Sequence, residues 1–147
     1  MAYGQAKSEI AYVIKQSRPT FPLWIEMNIA QARARAGLKQ YDEAVAQLAN
    51  LQQQAPKRPE IYVELAKVLK KSGKVADAID VLEKGLDNAS KKGPLLFYLA
   101  HYYYDRGNLE RSAQFMARAE AEGMKMDSLR RRLGPSEKSA ASKAPAM

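Results

Sequence analysis

Apolar positions in this chain fall at helical spacing along most of its length. In Pro59–Ser72, Ile61/Tyr62, Leu65/Ala66 and Leu69 recur at i, i+3/i+4 and i+7, the stripe of an amphipathic helix. Gly73 stops it, because glycine takes the left-handed conformation that closes a helix. Val75–Asn88 carries a second stripe of Val75, Ala78/Ile79, Leu82 and Leu86. The break at Ala89–Pro94 collects Ser, Lys, Gly and Pro and predicts a loop. Leu95–Asp105 then places Leu95/Leu96, Leu99/Ala100 and Tyr103 on one face, and Arg106-Gly107-Asn108 makes a turn. Leu109–Ala121 follows with Leu109, Ala113, Met116 and Ala119, before Gly123. Upstream, Leu23–Ala36 and Tyr41–Gln54 form a pair around Gly37-Leu38-Lys39-Gln40, closed by Pro56 and Pro59, since proline cannot continue a helix interior.

The pairs are copies at a period of 34 residues. Leu65-Ala66 returns as Leu99-Ala100, Gly73 as Gly107, Leu48 as Leu82 and then Met116, and Ala44 as Ala78. Ile29-Ala30 precedes Leu65-Ala66 by 36, which predicts two extra residues in the first helix or turn of the first unit, with Gly37 as its turn glycine. A period of this size means stacked supersecondary units, whose function lies on shared surfaces. The ends differ. Ser8–Ser17, with Ser8 as N-cap and Ile10, Val13 and Ile14 as its stripe, predicts a short helix covering the first unit. Arg18-Pro19-Thr20-Phe21-Pro22 reads as a rigid link. Asp127–Leu133 predicts one or two turns of a basic capping helix, and the Ser/Ala/Lys/Pro-rich Gly134–Met147 a disordered tail. The expected organisation is thus 1–22 as cap and link, units at 23–58, 59–92 and 93–123, a basic cap at 124–133 and a tail at 134–147.

These pieces resemble the tetratricopeptide repeat, a pair of antiparallel helices in 34 residues. The second unit reads Tyr62, Leu65-Ala66, Leu69, Gly73, Val75, Ala78, Leu82, and the third Leu96, Leu99-Ala100, Tyr103, Gly107, Leu109, Ser112, Met116, Ala119. The first reads Ile29-Ala30, Gly37, Tyr41-Asp42-Glu43-Ala44, Leu48, Pro56. Ser112 stands where alanine is usual, and Gly85 where a larger small residue is usual. The match runs from about Leu23 to Gly123. It implies an all-α solenoid of three hairpins with capping helices at both ends. Its implied function is protein–protein interaction, as an adaptor or assembly factor that holds a partner segment in a concave groove lined by the first helices. Many members clamp the carboxylate at the end of chaperone tails with lysine, asparagine and arginine. The matching positions here are Met27, Gln31, Glu64, Pro94 and Tyr98, so that clamp is absent.

On the first helices the face turned from the core gives the candidate groove. The second unit supplies Glu64, Lys67, Lys70 and Lys71, the third Phe97, Tyr98, His101 and Tyr104, and the first Trp24, Met27, Gln31 and Arg35. Phe97, Tyr98, Tyr102, Tyr103 and Tyr104 put five aromatics into eight residues. One core stripe cannot hold them all, so several rings are expected outward or in the groove. A peptide with apolar anchors and acidic residues would suit this surface.

Composition changes this picture little. With 147 residues, 46% apolar and 27% charged, the chain suits one globular domain. Cysteine is absent, which excludes disulfides and thiolate zinc sites. No apolar run reaches a membrane span and no signal peptide is visible, so a cytoplasmic location is expected; the sequence also suits a piece of a longer exported protein. The net charge is +8, and Lys125, Arg130, Arg131, Arg132, Lys138 and Lys143 oppose only Asp127 and Glu137 at the C-terminal end. Arg130, Arg131 and Arg132 form a basic patch that could meet nucleic acid or an anionic membrane, an alternative to peptide binding, as is self-association of the array. His101 is the single histidine; it lacks companions at metal-ligand spacing and a nucleophile, with Asp105 one turn on as a local hydrogen-bond partner. No phosphate loop or nucleophile elbow appears, so no enzyme, cofactor or metal is expected. If Ser8–Ser17 is a cap, deleting it lowers the melting temperature more than deleting Gly134–Met147; equal effects in thermal scans would contradict the assignment.

Overall fold

Each amphipathic helix here needs a neighbour on its apolar side, and the chain meets that need by stacking hairpins. The computed structural model describes residues 22–134. The helices are α1 (Pro22–Gly37), α2 (Tyr41–Gln54), α3 (Pro59–Lys71), α4 (Val75–Asn88), α5 (Gly93–Asp105) and α6 (Leu109–Ala121), followed by α7 at 127–134. The expected N-terminal cap at Ser8–Ser17, the link through Phe21 and the tail beyond Gly134 lie outside the described residues. Helices α1 and α2, α3 and α4, and α5 and α6 pair as hairpins; α2 packs on α3 and α4 on α5. The first helices also touch across the boundaries, α1 with α3 and α3 with α5. Among the described residues no helix is long and apolar enough to cross a membrane.

The hairpin turns share one hydrogen-bond pattern. The N–H groups of Gln40, Lys74 and Asn108 donate to the carbonyls of Arg35, Leu69 and Tyr103, at 2.9, 2.8 and 2.9 Å. The residue before each donor takes a left-handed φ: 62° at Lys39, 87° at Gly73 and 81° at Gly107. This is the glycine closure of a helix, with lysine in the glycine position of the first turn. It corrects the expected register. The first unit has no extra residues; Lys39, not Gly37, is the equivalent of Gly73, and Gln31-Ala32, not Ile29-Ala30, is the equivalent of Leu65-Ala66.

In this register the core forms rows. Ala32, Ala66 and Ala100 on the first helices, and Ala44, Ala78 and Ser112 on the second, are all at 0% exposure. The Ser112 hydroxyl donates to the Ala100 carbonyl at 2.8 Å, so this buried departure from alanine keeps its hydrogen bond. Gly85 has an equally specific cause. A Cβ there would stand 2.5 Å from Leu95 Cδ2 and 2.8 Å from the Tyr62 ring. Tyr62 is buried, and its hydroxyl donates to the Pro56 carbonyl at 2.6 Å. One repeat later Leu96 replaces the ring and Ala119 replaces the glycine, so the pair trades volume.

The C-terminal helix follows the same register. Leu129 and Leu133 lie one period after Leu95 and Leu99 and are buried as they are. Helix α7 is therefore built like the first helix of a further unit. Where Tyr62 and Leu96 stand, it carries Arg130, which pairs with Glu120 of α6.

Gly85→Ala is expected to cost about 1–2 kcal/mol despite alanine's better helix propensity, because the neighbours are already in contact; Tyr62→Leu in the same chain should recover most of that loss. Lys39→Gly should stabilise by about 0.5–1 kcal/mol through relief of the left-handed strain. Urea unfolding of the variants checks both.

Candidate functional site

Helices α1, α3 and α5 present a common face, and its side chains reach from each helix to the next. Arg33 of α1 donates to Glu64 of α3, whose side chain is 8% exposed against 62% for the arginine. Lys67 of α3 lies 3.9 Å from the same carboxylate and holds its ammonium 5.1 Å from the centre of the Tyr98 ring on α5. One turn on, the Lys70 ammonium sits 4.7 Å from the Tyr102 ring centre and 2.7 Å from the Asp105 carboxylate. Cations over rings and a largely buried carboxylate held by arginine knit the repeats while leaving polar groups accessible.

The rings of α5 form a packed belt. Phe97 meets Tyr98 edge-on at 5.1 Å and His101 at 4.6 Å, and Tyr98 tilts against Tyr102 at 5.9 Å. Several rings were expected outward or in the groove, and none of the five is fully exposed. Tyr102 is buried, while Phe97, Tyr98, Tyr103 and Tyr104 are half-buried. The exposed large apolar side chains among the described residues are Leu23 and Leu109. Tyr102 also takes the deep place expected of Tyr103, which instead stacks on Phe115 of α6 at 5.5 Å and donates to Glu83 of α4 at 2.6 Å.

Of the expected groove residues, Glu64, Lys67, Lys70, Phe97, Tyr98 and His101 come together on this face. Lys71 is exposed at the end of α3, and Tyr104 occupies the Lys70 position of its repeat. The first unit differs, because of the register. Gln31 is buried within the first hairpin, where it accepts from Gln47 of α2 at 2.6 Å. Arg35 donates to Gln47 at 2.7 Å and lies 3.9 Å from Glu43, so it faces α2 and not the common face. Trp24 is half-buried against the core, and Met27 stands in the row of Ile61, Leu95 and Leu129, which is buried in later repeats. The residue missed is Arg33. It precedes Lys67 by 34 and His101 by twice that, so a basic row was present in the chain at the repeat period.

The basic patch is divided. Arg130 is paired with Glu120, while Arg131 and Arg132 are exposed on α7. Asp105 binds Lys70, not the expected His101. Burial, and then the neighbouring Arg132 charge, hold His101 below the ordinary imidazole range; Asp105 pulls the other way. Burial pushes the Tyr102 phenol up to about 12. The hydrogen bond to Glu64 raises Arg33 further above its already high range. Among the described residues no group of three or more His, Asp or Glu side chains is gathered so as to hold a metal ion.

Residues 35–94 match the tetratricopeptide repeat family. A comparison with curated proteins gave no match. Among solved structures, "MamA MSR-1 C2" superimposes with a TM-score of 0.61 at 18% identity, covering 83% of this chain and 68% of that one. The human IFIT1 dimer with m7Gppp-AAAA gives 0.57 at 20% identity, over 82% of this chain. The chain spans only 28% of the IFIT1 length. At such identities the likeness is one of fold.

Two outcomes test the geometry. Arg33→Ala should cost about 1 kcal/mol, since Glu64 keeps only the more distant Lys67, whereas Lys67→Ala and Lys70→Ala should stay within about 0.5 kcal/mol as exposed pairs do. A raised folded-state pKa for Tyr102 means its stabilisation is complete below pH 10 and lost as pH rises toward 12, because the unfolded phenol ionises first. Tyr102→Phe should flatten that alkaline decline in a denaturation series.

Proposed function

We propose that this chain, which carries tetratricopeptide repeats, acts as an adaptor or assembly factor that holds a segment of a partner protein along the face of α1, α3 and α5. Tetratricopeptide-repeat proteins are generally protein-interaction scaffolds, and the features of this face favour that use here. The observation that carries the reading is the strip from Arg33 through Lys67 and Lys70 to Tyr98 and His101, in which Arg33 holds the Glu64 carboxylate across the first boundary and Lys67 and Lys70 lie over the Tyr98 and Tyr102 rings across the second. Rings pinned by neighbours offer apolar contact at little entropic cost, and the lysines above them can turn to an acidic group. An extended or helical segment with apolar anchors and acidic residues matches both features. In this reading Tyr98, His101 and Tyr104 supply apolar and hydrogen-bonding contacts, Lys67, Lys70 and Lys71 supply charge, and Arg33 takes the place expected of Gln31 and Arg35.

A pull-down from the source cell's lysate tests the proposal, with the wild-type chain and a Tyr98→Ala/Tyr104→Ala variant compared at low and high salt. The expected result is a protein captured at both salt levels by the wild type alone, while the variant keeps its helical circular dichroism. Capture retained by the variant would refute the groove. Nucleic acid or lipid captured only at low salt, equally by both chains, would move function to Arg131 and Arg132.

A further inference from the structure

Helices α1, α3 and α5 hold the same place in their repeats, but they are not held equally. In the rows where α3 buries Ile61, Tyr62, Leu65 and Leu69, α1 carries Met27, Asn28, Gln31 and Arg35. Helix α5 fills the same rows with Leu95, Leu96, Leu99 and Tyr103. Ile29 is the large apolar side chain that α1 buries fully; the rest of its buried set is Asn28, Gln31, Ala32, Ala34 and Ala36. Trp24 and Ile25 add half-buried contacts near its start. Toward α2 the seam is polar. Gln47 donates to Asn28 at 3.0 Å and to Gln31 at 2.6 Å, and accepts from Arg35 at 2.7 Å. That seam is incompletely satisfied, because the Arg35 Nε group is buried without a hydrogen bond, with Glu43 3.9 Å away. Toward α3, Arg33 ties α1 to Glu64 and Glu26 ties it to Arg58 at 3.4 Å, and both α1 side chains are exposed.

Amides in place of buried leucine and tyrosine remove the larger source of stability. Each hydrogen bond across the seam replaces one to water, whereas apolar burial is a net gain. A buried guanidinium N–H without a partner subtracts further. We propose that α1 is a strap: it leaves α2 and α3 while α2 to α7 stay folded, so the inner face has a closed and an open state. Helix α2 does not leave with it, because it buries Leu48 and Leu51 and packs along α3. In the closed state Arg33 sits on Glu64. In the open state Glu64 keeps Lys67 alone, while Lys67 and Lys70 remain over the Tyr98 and Tyr102 rings, since those contacts lie within α3 and α5. The charge at the α1 end of the face therefore changes with the strap. Elements that move in recognition come from the least stable part of a structure, and α1 is that part here. The strap rests on packing alone; closure by a partner lying along the face, through Arg33, holds only with the groove reading above.

Trp24 is the only tryptophan and lies in the first turn of α1, so its emission reports the strap by itself. The test is urea unfolding of the full chain, followed by tryptophan fluorescence and by far-UV circular dichroism, with amide exchange read by mass spectrometry. The expected result is a fluorescence midpoint about 1 M urea below the dichroism midpoint, and α1 amides that exchange in water at least about tenfold faster than those of α3. Arg33→Ala should lower the fluorescence midpoint and leave the dichroism midpoint in place. Gln31→Leu/Arg35→Leu/Gln47→Val, which installs the side chains of Leu65, Leu69 and Val81 in the first hairpin, should merge the two transitions. Coincident transitions in the wild type would overturn the strap, as would α1 amides protected as well as those of α3. Arg33→Ala moving both midpoints together would also overturn it. The wild type and Arg33→Ala decide the matter even where the triple substitution does not fold. None of these results depends on partner capture, so the groove reading stands or falls separately.

Discussion

Close approach of helices at the small-residue rows is the constraint on which the rest of the molecule depends. Ala32, Ala66 and Ala100 on the first helices and Ala44, Ala78 and Ser112 on the second have no exposed surface, and a larger side chain at these positions would overpack the core. The same small residues return every 34 positions, one set in each hairpin. Contacts between first helices repeat as well: Arg33–Glu64 and Lys67–Tyr98 are variations on one position. The chemistry of the inner face is written on a lattice that the buried alanines set.

Within that lattice the seams differ in kind. In the second hairpin Tyr62, Leu65, Leu69 and Val81 fill the space between helices. The corresponding residues of the first are Asn28, Gln31, Arg35 and Gln47, joined in a hydrogen-bonded cluster. Such a cluster holds geometry tightly when satisfied but contributes less net stability than apolar burial. The apolar weight of the array accordingly lies in α3 to α6, where the aromatic belt and the two lysines also lie.

Helices α2 to α6 were legible because their stripes, turn glycines and prolines agree on one register. The first unit misled because Ile29-Ala30 imitates the large–small pair and Gly37 imitates the turn glycine, while the true equivalents, Gln31 and Lys39, are of the wrong chemical type. The starts of the second helices, Tyr41, Val75 and Leu109, lie 34 apart and held the correct register. That two-residue error displaced the candidate site from Arg33 to Gln31 and Arg35. The placement of the rings on α5 was beyond a single-stripe argument. A first helix in mid-array is covered by α4 on one side and α6 on another, so two faces are buried and Tyr102 lies deeper than Tyr103. Leu129 and Leu133 follow Leu95 and Leu99 by one period, and that signal identifies α7 as more than a basic cap.

The central claim is that partners lie along the inner face built from the first helices. Site-specific photo-crosslinking tests it most directly, with the photoreactive residue at Lys67 on α3 in one chain and at Lys84 on α4 in another, both exposed to the source lysate. The account predicts one discrete crosslinked protein from position 67, suppressed by Tyr98→Ala/Tyr104→Ala, and none from position 84. A discrete product from position 84, with none from 67, would put recognition on the opposite face and contradict it.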